Sequence, residues 1–240
     1  MRDARVTAAV LFAGALFLGA LAVPRVLAEA AILPVSPSLE ALHRGDLLEP
    51  QVETQALDAL TRAHRYQPND ARIAVDMALL SLNAVRRDGV AGERGKADLL
   101  TAIEELEAGL KLSPANSFAW ALLAQARLVR DDGLSESARR ALDNSFYMGP
   151  FDHGAMLVRS EITLPNWRNL GTEIEPAARR EVLALWQRSW EDQKKVIMVA
   201  CRTRSVAALS DALRVDPAAR KEFDQFYEPY LSPEGCKHAP

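Results

Sequence analysis

Several features that mark common functions are missing from this chain. There is no long basic stripe and no basic tail, which argues against a nucleic-acid binder, because phosphate contacts need clustered Lys and Arg. No segment of alternating polarity is long enough to argue for a sheet. The apolar residues are mostly Leu and Ala, with few β-branched runs, and that balance favours helix. No G-x-S-x-G elbow, zinc-helix motif, phosphate loop or dinucleotide fingerprint occurs. The chain therefore reads as a non-enzyme with no catalytic residue, metal site or cofactor. Cysteine is nearly absent, Cys201 and Cys236 being the only two.

What is present is an ordinary globular balance. Of 240 residues, 49% are hydrophobic and 25% charged, with a net charge of -3. That length allows one domain of ordinary size, or one domain together with a membrane segment. The first 28 residues carry Arg2, Arg5 and Arg25 against Asp3, so they are net positive and the remainder is net acidic.

Val6 to Val23 runs without a charge. As a helix it would be about 27 Å long, close to the hydrocarbon thickness of a bilayer. The flanking arginines favour a cytoplasmic N-terminus, which places the following chain outside. Two readings stand. Residues 1–28 form an uncleaved anchor, giving a single-pass protein of the inner membrane with its domain in the periplasm. Alternatively, small residues in Val26-Leu27-Ala28 mark cleavage before Glu29 and release a soluble periplasmic protein. The anchor is preferred because the apolar run exceeds a usual signal core. Ala9 and Ala13, and Ala15 and Gly19, recur at the spacing that lets membrane helices approach, which in an Ala-rich segment carries little weight.

Residues 29–52 contain Pro34, Pro37, Gly45 and Pro50 and read as a linker with one short helix around Leu39 to Arg44. From about Glu53 the pattern is helical. Leu57, Leu60 and His64 share a face, with Ala56 and Ala63 beside them. Ile73, Met77, Leu80 and Ala84 repeat the spacing, as do Leu99, Ile103, Leu106 and Leu110. Val90 to Gly95 reads as an inserted loop. Breaks fall at Pro68, Pro114 and Pro150, spaced 46 and 36 residues apart. Proline cannot continue the preceding helix, and the Asn, Asp or Ser nearby can cap the next.

These residues resemble the tetratricopeptide repeat over about 53–150. Ala56, Leu60 and Ala63 precede Pro68 in the family's small, large, small order. Ala102, Leu106 and Gly109 precede Pro114, and Ala138, Leu142 and Ser145 precede Pro150. Trp120, Leu123 and Ala124 match part of a first-helix signature, but Arg127 stands where an aromatic is usual. The resemblance implies an all-α fold of stacked antiparallel hairpins, a solenoid whose small residues let helices approach and whose concave groove binds partners. The alternative is an irregular helical bundle around the same core.

Residues 151–240 are expected to cap that stack. A helix from Ala155 to Leu164 is followed by a long one from Pro176, at a first helical position, to about Ala200. Val182, Leu185, Trp186, Ser189, Val196, Ile197 and Ala200 share its inner face, with Arg179, Gln187, Glu191 and Lys194 facing away. A short helix holds Val206, Leu209 and Leu213. Asp216-Pro217 starts the last, with Phe223, Phe226 and Tyr227 on its apolar side.

Few constellations could carry chemistry. Outside the cytoplasm an even pair of cysteines points to a disulfide between Cys201 and Cys236; the other reading is a buried Cys201 and a free Cys236. A metal site with His238 lacks further ligands. Asp152 beside His153 could be an oriented general base, or an Asp helix cap beside a surface His. Glu104, Glu105 and Glu107 read as a solvated face, and so do Arg86/Arg87, Arg139/Arg140 and Arg179/Arg180. The arginine pairs could instead line an anion groove. Trp120, Trp167, Trp186 and Trp190 read as core before partner contacts.

The resemblance and the membrane segment imply a non-catalytic adaptor. Its partners would be other envelope proteins, met through a helical groove, and the membrane, met through residues 6–23. Anchored proteins of this architecture suggest cell-surface polysaccharide assembly or export, by analogy alone. The alternatives are a cytochrome-maturation accessory protein or an enzyme acting on envelope glycan or peptide.

Overall fold

The computed structural model describes residues 2–232 and 234–237, apart from the side chains of 2–10, 13, 15, 228 and 229. The chain is all-helical, with no strand among the described residues. It divides into two compact units, Met1–Leu112 and Ser113–Pro240.

The first unit holds α1 (Arg2–Ile32), α2 (Ser36–His43), α3 (Pro50–Tyr66), α4 (Ala71–Asp88) and α5 (Glu93–Leu112). Helix α1 is long and apolar enough to cross a membrane or act as a signal. Its character changes along its length. Leu11, Phe12, Leu16, Phe17, Leu18 and Leu21 are exposed, whereas Ala28 and Ile32 are buried. The helix packs along α3, and Glu29 pairs with Arg72 at the start of α4.

The segment expected as a linker is instead part of this unit. It forms a 3-10 turn (Leu33–Val35) and then α2, and buries Val35, Leu39, Leu42 and Leu48. Its prolines serve as helix starters rather than as spacers, which is why composition misread it. Asn83 of α4 fastens its end: Leu48 N–H donates to Asn83 Oδ1 (3.0 Å), and Asn83 Nδ2 donates to Glu53 (2.6 Å). Arg87 donates to the same Glu53 carboxylate (2.7 Å). In α2, His43 Nε2 lies 2.7 Å from the buried Asp76 of α4.

In α3 the inner face is Ala56, Ala59, Leu60 and Ala63, and Leu57 is exposed. The face is turned towards its small residues because close helix approach requires them. Helices α4 and α5 form the most extensive hairpin of the unit. Asp70 caps α4 by accepting from Arg72 N–H (2.9 Å). The expected loop at Val90 to Gly95 is shorter than read, since α5 begins at Glu93. Gly95 is buried there against the backbone of Gly89, a contact no side chain would allow.

The second unit holds α6 (Ser117–Arg130), α7 (Glu136–Met148), α8 (His153–Thr163), α9 (Gly171–Arg188), α10 (Trp190–Arg202), α11 (Val206–Leu213) and α12 (Pro217–Phe226). Helix α6 pairs with α7 and also lies along α8. Asn116, Ser135 and Asp152 cap α6, α7 and α8 through side-chain oxygens.

Two expectations here are corrected. The long helix from Pro176 to Ala200 is two helices, broken at Ser189. That residue is extended (φ -162°), and its hydroxyl accepts from Asp192 N–H (3.2 Å) to cap α10. Ser189 is therefore exposed, while Val182, Leu185, Trp186, Val196, Ile197 and Ala200 are buried as expected. Helix α9 also starts earlier, at Gly171, leaving Pro176 inside it. Burial of Leu170 and Ile174 draws those residues into the fold. Pro176 lies past the first turn, so it forfeits a backbone bond and crowds the carbonyl one turn before it. The core joins α8, α9, α10, α11 and α12 around Trp186, Leu209, Leu213 and Phe223.

Candidate functional site

The second unit contains one costly internal arrangement. Arg159 of α8 is fully buried, and so is most of Glu181 of α9. Arg159 Nε donates to Glu181 Oε2 (2.7 Å). Its Nη1 donates to the carbonyl and hydroxyl oxygens of Ser145 (3.0 and 2.9 Å), and both terminal nitrogens reach the Gly149 carbonyl (3.2 Å). The guanidinium also lies over the Phe146 ring, 4.6 Å from its centre. Ser145 in turn donates to the Ser117 carbonyl (2.7 Å). Burial pushes the Glu181 carboxyl up to about 8, with Arg159 pulling it back down. Removing a guanidinium and its carboxyl partner from water is expensive. Here the expense fixes the end of α7 and the turn after it.

That turn displays apolar side chains to solvent. Tyr147 is 83% exposed and Phe151 82%, with Met148 also outward. Behind Phe151 lies a small cavity of about 100 Å³, bordered by Phe146, Met156, Ala184 and Glu181. Large exposed aromatics held on a rigid support have the character of contact hot spots.

A second feature lies at the C-terminal end of the same unit. Cys201, at the end of α10, is joined to Cys236 by a disulfide with a Cα–Cα distance of 5.3 Å. The tail reaches Cys236 after a π-helical turn, Tyr227–Leu231. Such widened turns are frequent at functional sites. Between α11, α12 and this tail runs a groove of about 880 Å³. Phe223, Leu231, Val206 and the disulfide make it apolar, and Arg204, Arg220 and Lys237 stand at its border. Arg220 donates to Ser210 (2.5 Å) and pairs with Asp224 (2.9 Å). Arg204 closes α10 in the left-handed region (φ +55°), where glycine is usual. A bulky residue there costs roughly 1–2 kcal/mol.

The residues singled out from sequence distribute as follows. Ala56, Leu60, Ala63, Ala102, Leu106 and Gly109 are buried in the first unit, and Leu123, Ala124, Ala138, Leu142 and Ser145 in the second. Trp120 differs: it is half-buried, and its indole N–H donates to the Pro114 carbonyl (2.8 Å) at the turn. Arg127, in the place of an aromatic, donates to the Ser137 carbonyl (3.1 Å) and so links α6 to α7. Trp186 is core; Trp167 is partly buried and donates to Asp211 (3.0 Å); Trp190 is exposed beside Phe226.

Asp152 and His153 are engaged by other residues rather than by each other. Asp152 accepts from Ala155 N–H (3.3 Å) and from the Ser117 hydroxyl (2.5 Å). His153 instead meets the buried Asp192 of α10 (2.8 Å). The arginine pairs are not simply solvated faces, since Arg87, Arg139 and Arg179 each brace another segment. Arg139 donates to the carbonyls of Leu170 and Asn169, and Arg179 to Asp211. Among the described residues no group of His, Cys, Asp and Glu could hold a metal ion. His238 lies outside the described residues, as do the side chains of Ala9, Ala13 and Ala15.

Sequence reasoning missed Arg159, Glu181 and Arg204. A signal for the first was present: Arg159 falls at helical spacing between Ala155, Met156, Ile162 and Thr163, an arginine within an apolar stripe. No protein-family model, curated protein or solved structure matches the chain.

Proposed function

We propose that the protein is a non-catalytic interaction module tethered to the outer side of the cytoplasmic membrane by α1. The observation that carries this reading is the exposed set Tyr147, Met148 and Phe151 on a turn held by buried Arg159. A preorganised apolar contact surface lowers the ordering cost of binding. The succession of helical hairpins with buried small residues supports the same class of function. The burial of Ala28 favours a retained helix over cleavage after that residue. By the analogy of architecture, the assembly served is one of the cell envelope, with polysaccharide export first among them.

The test is photo-crosslinking in cells, with a benzophenone amino acid at position 147 or 151. A discrete adduct with one envelope protein, absent when the probe is at exposed Arg140, supports the reading. Equal labelling from all three positions overturns it.

A further inference from the structure

We propose that the groove between α11, α12 and the disulfide-bound tail binds a single-chain anionic amphiphile of the fatty-acid type. Three observations converge on this chemistry. The first is size: about 880 Å³ lies within the range of cavities that hold small organic ligands. The second is lining. Phe223 and Leu231 are buried at its base, and Val206 is half-buried beside them, so an alkyl chain would displace water from an apolar floor. The third is charge. Arg204, Arg220 and Lys237 border the groove against one acid, Asp224.

The cations are not equivalent. Arg220 is engaged by Asp224 and Ser210, and Lys237 by Glu234. Arg204 makes no ion pair with a described residue, yet it occupies a backbone position that suits glycine better. Arg204 thus bears a backbone cost while its side chain lines the groove. A guanidinium can grip a carboxylate with two parallel hydrogen bonds. The ligand's head would meet Arg204 and its tail would lie over Phe223 and Leu231.

The experiment uses the full chain in phosphatidylcholine nanodiscs, with the disulfide intact and empty nanodiscs as blank. Equilibrium dialysis measures binding of labelled octanoate, with octyl glucoside and octyltrimethylammonium as neutral and cationic probes. The expected result is saturable binding of one octanoate per chain, at least tenfold weaker binding of both other probes, and thermal stability raised by octanoate. Arg204→Gly, which the left-handed backbone accepts, should weaken octanoate binding at least tenfold while leaving the fold intact by circular dichroism. Ala207→Trp, at an exposed position on the groove wall, should block it. The proposal is overturned by no binding above the blank, by equal binding of the neutral probe, or by full binding in either folded variant.

Discussion

Arg159 donates through Nε to the Glu181 carboxyl at 2.7 Å, and neither side chain has appreciable contact with water. The same guanidinium holds the Ser145 and Gly149 carbonyls. Losing the arginine alone therefore leaves the buried Glu181 carboxyl and the Ser145 hydroxyl oxygen without their donor, while the Ser145 and Gly149 carbonyls keep only the backbone N–H groups of Gly149 and Asp152. Arg159→Leu should destabilise the second unit by about 3–5 kcal/mol, the range for breaking one side of a buried pair. Replacing both, as Arg159→Leu with Glu181→Leu, should recover much of that loss. The crosslinks from position 151 should nevertheless stay weak in the double variant, because the turn has lost its brace. Urea unfolding and the crosslinking yield separate the two effects.

Stability should also depend on pH through Glu181. Its carboxyl ionises in the unfolded chain near 4.5, and burial raises it to about 8 in the native one. Between those values the native state holds a proton that the unfolded state releases. Stability from this group is thus present below about 4.5 and declines as pH rises towards 8, by at most about 1.4 kcal/mol per pH unit. Melting temperatures measured from pH 5 to 8 should fall less steeply in Glu181→Gln than in the wild type. Parallel curves would disprove this assignment.

The disulfide closes a loop between residues 201 and 236. In the loop-entropy view a closure of this size contributes about 3–4 kcal/mol. Cys201→Ser with Cys236→Ser should lower the urea midpoint of the second unit accordingly. Dithiothreitol should reproduce the shift in the wild type and leave the double variant unchanged.

Ser189 separates α9 from α10 by accepting the Asp192 N–H. Ser189→Ala should cost about 1 kcal/mol, and Ser189→Asp should retain most of the cap. A gain in helix content for Ser189→Ala, as would follow if α9 and α10 fused, would contradict the break seen here.

Gly109 faces α4 so closely that an added Cβ would lie 3.3 Å from the Ala71 carbonyl oxygen and from a Val75 methyl. Gly109→Ala gains helix propensity, but it must push backbone aside. A net loss of stability, read by thermal unfolding, is expected, and a more stable variant would show that α4 and α5 can separate at no cost.

Much of the helical layout was legible from residue order. The proline-closed series located α3, α5 and α7, and the small residues at 56, 63, 102, 109, 138 and 145 are all buried. Periodicity could see this because each helix buries one face. It could not see Ser189 as a break, since serine at that spacing fits an inner face as well as a cap. The apparent linker failed for a related reason: Pro34, Pro37 and Pro50 stand where helices begin, and composition does not distinguish starting from spacing. The candidate sites were less legible. Arg159 meets Glu181 across 22 positions, and the groove joins α11 and α12 to a tail bound at Cys201. Such partnerships depend on helix packing, which no local pattern encodes. Sequence did flag Cys201 and Cys236, but not the arginine at 204 beside them.

Helix α1 passes from exposed leucines and phenylalanines to buried Ala28 and Ile32 without leaving the helical conformation. Pro24 lies between the two stretches and removes one backbone hydrogen bond, so bending of this helix is concentrated there. Anything that held the apolar stretch would therefore act on the first unit through Pro24, as a handle acts through its hinge. Inserting three glycines after Arg25 would uncouple the two and leave both intact.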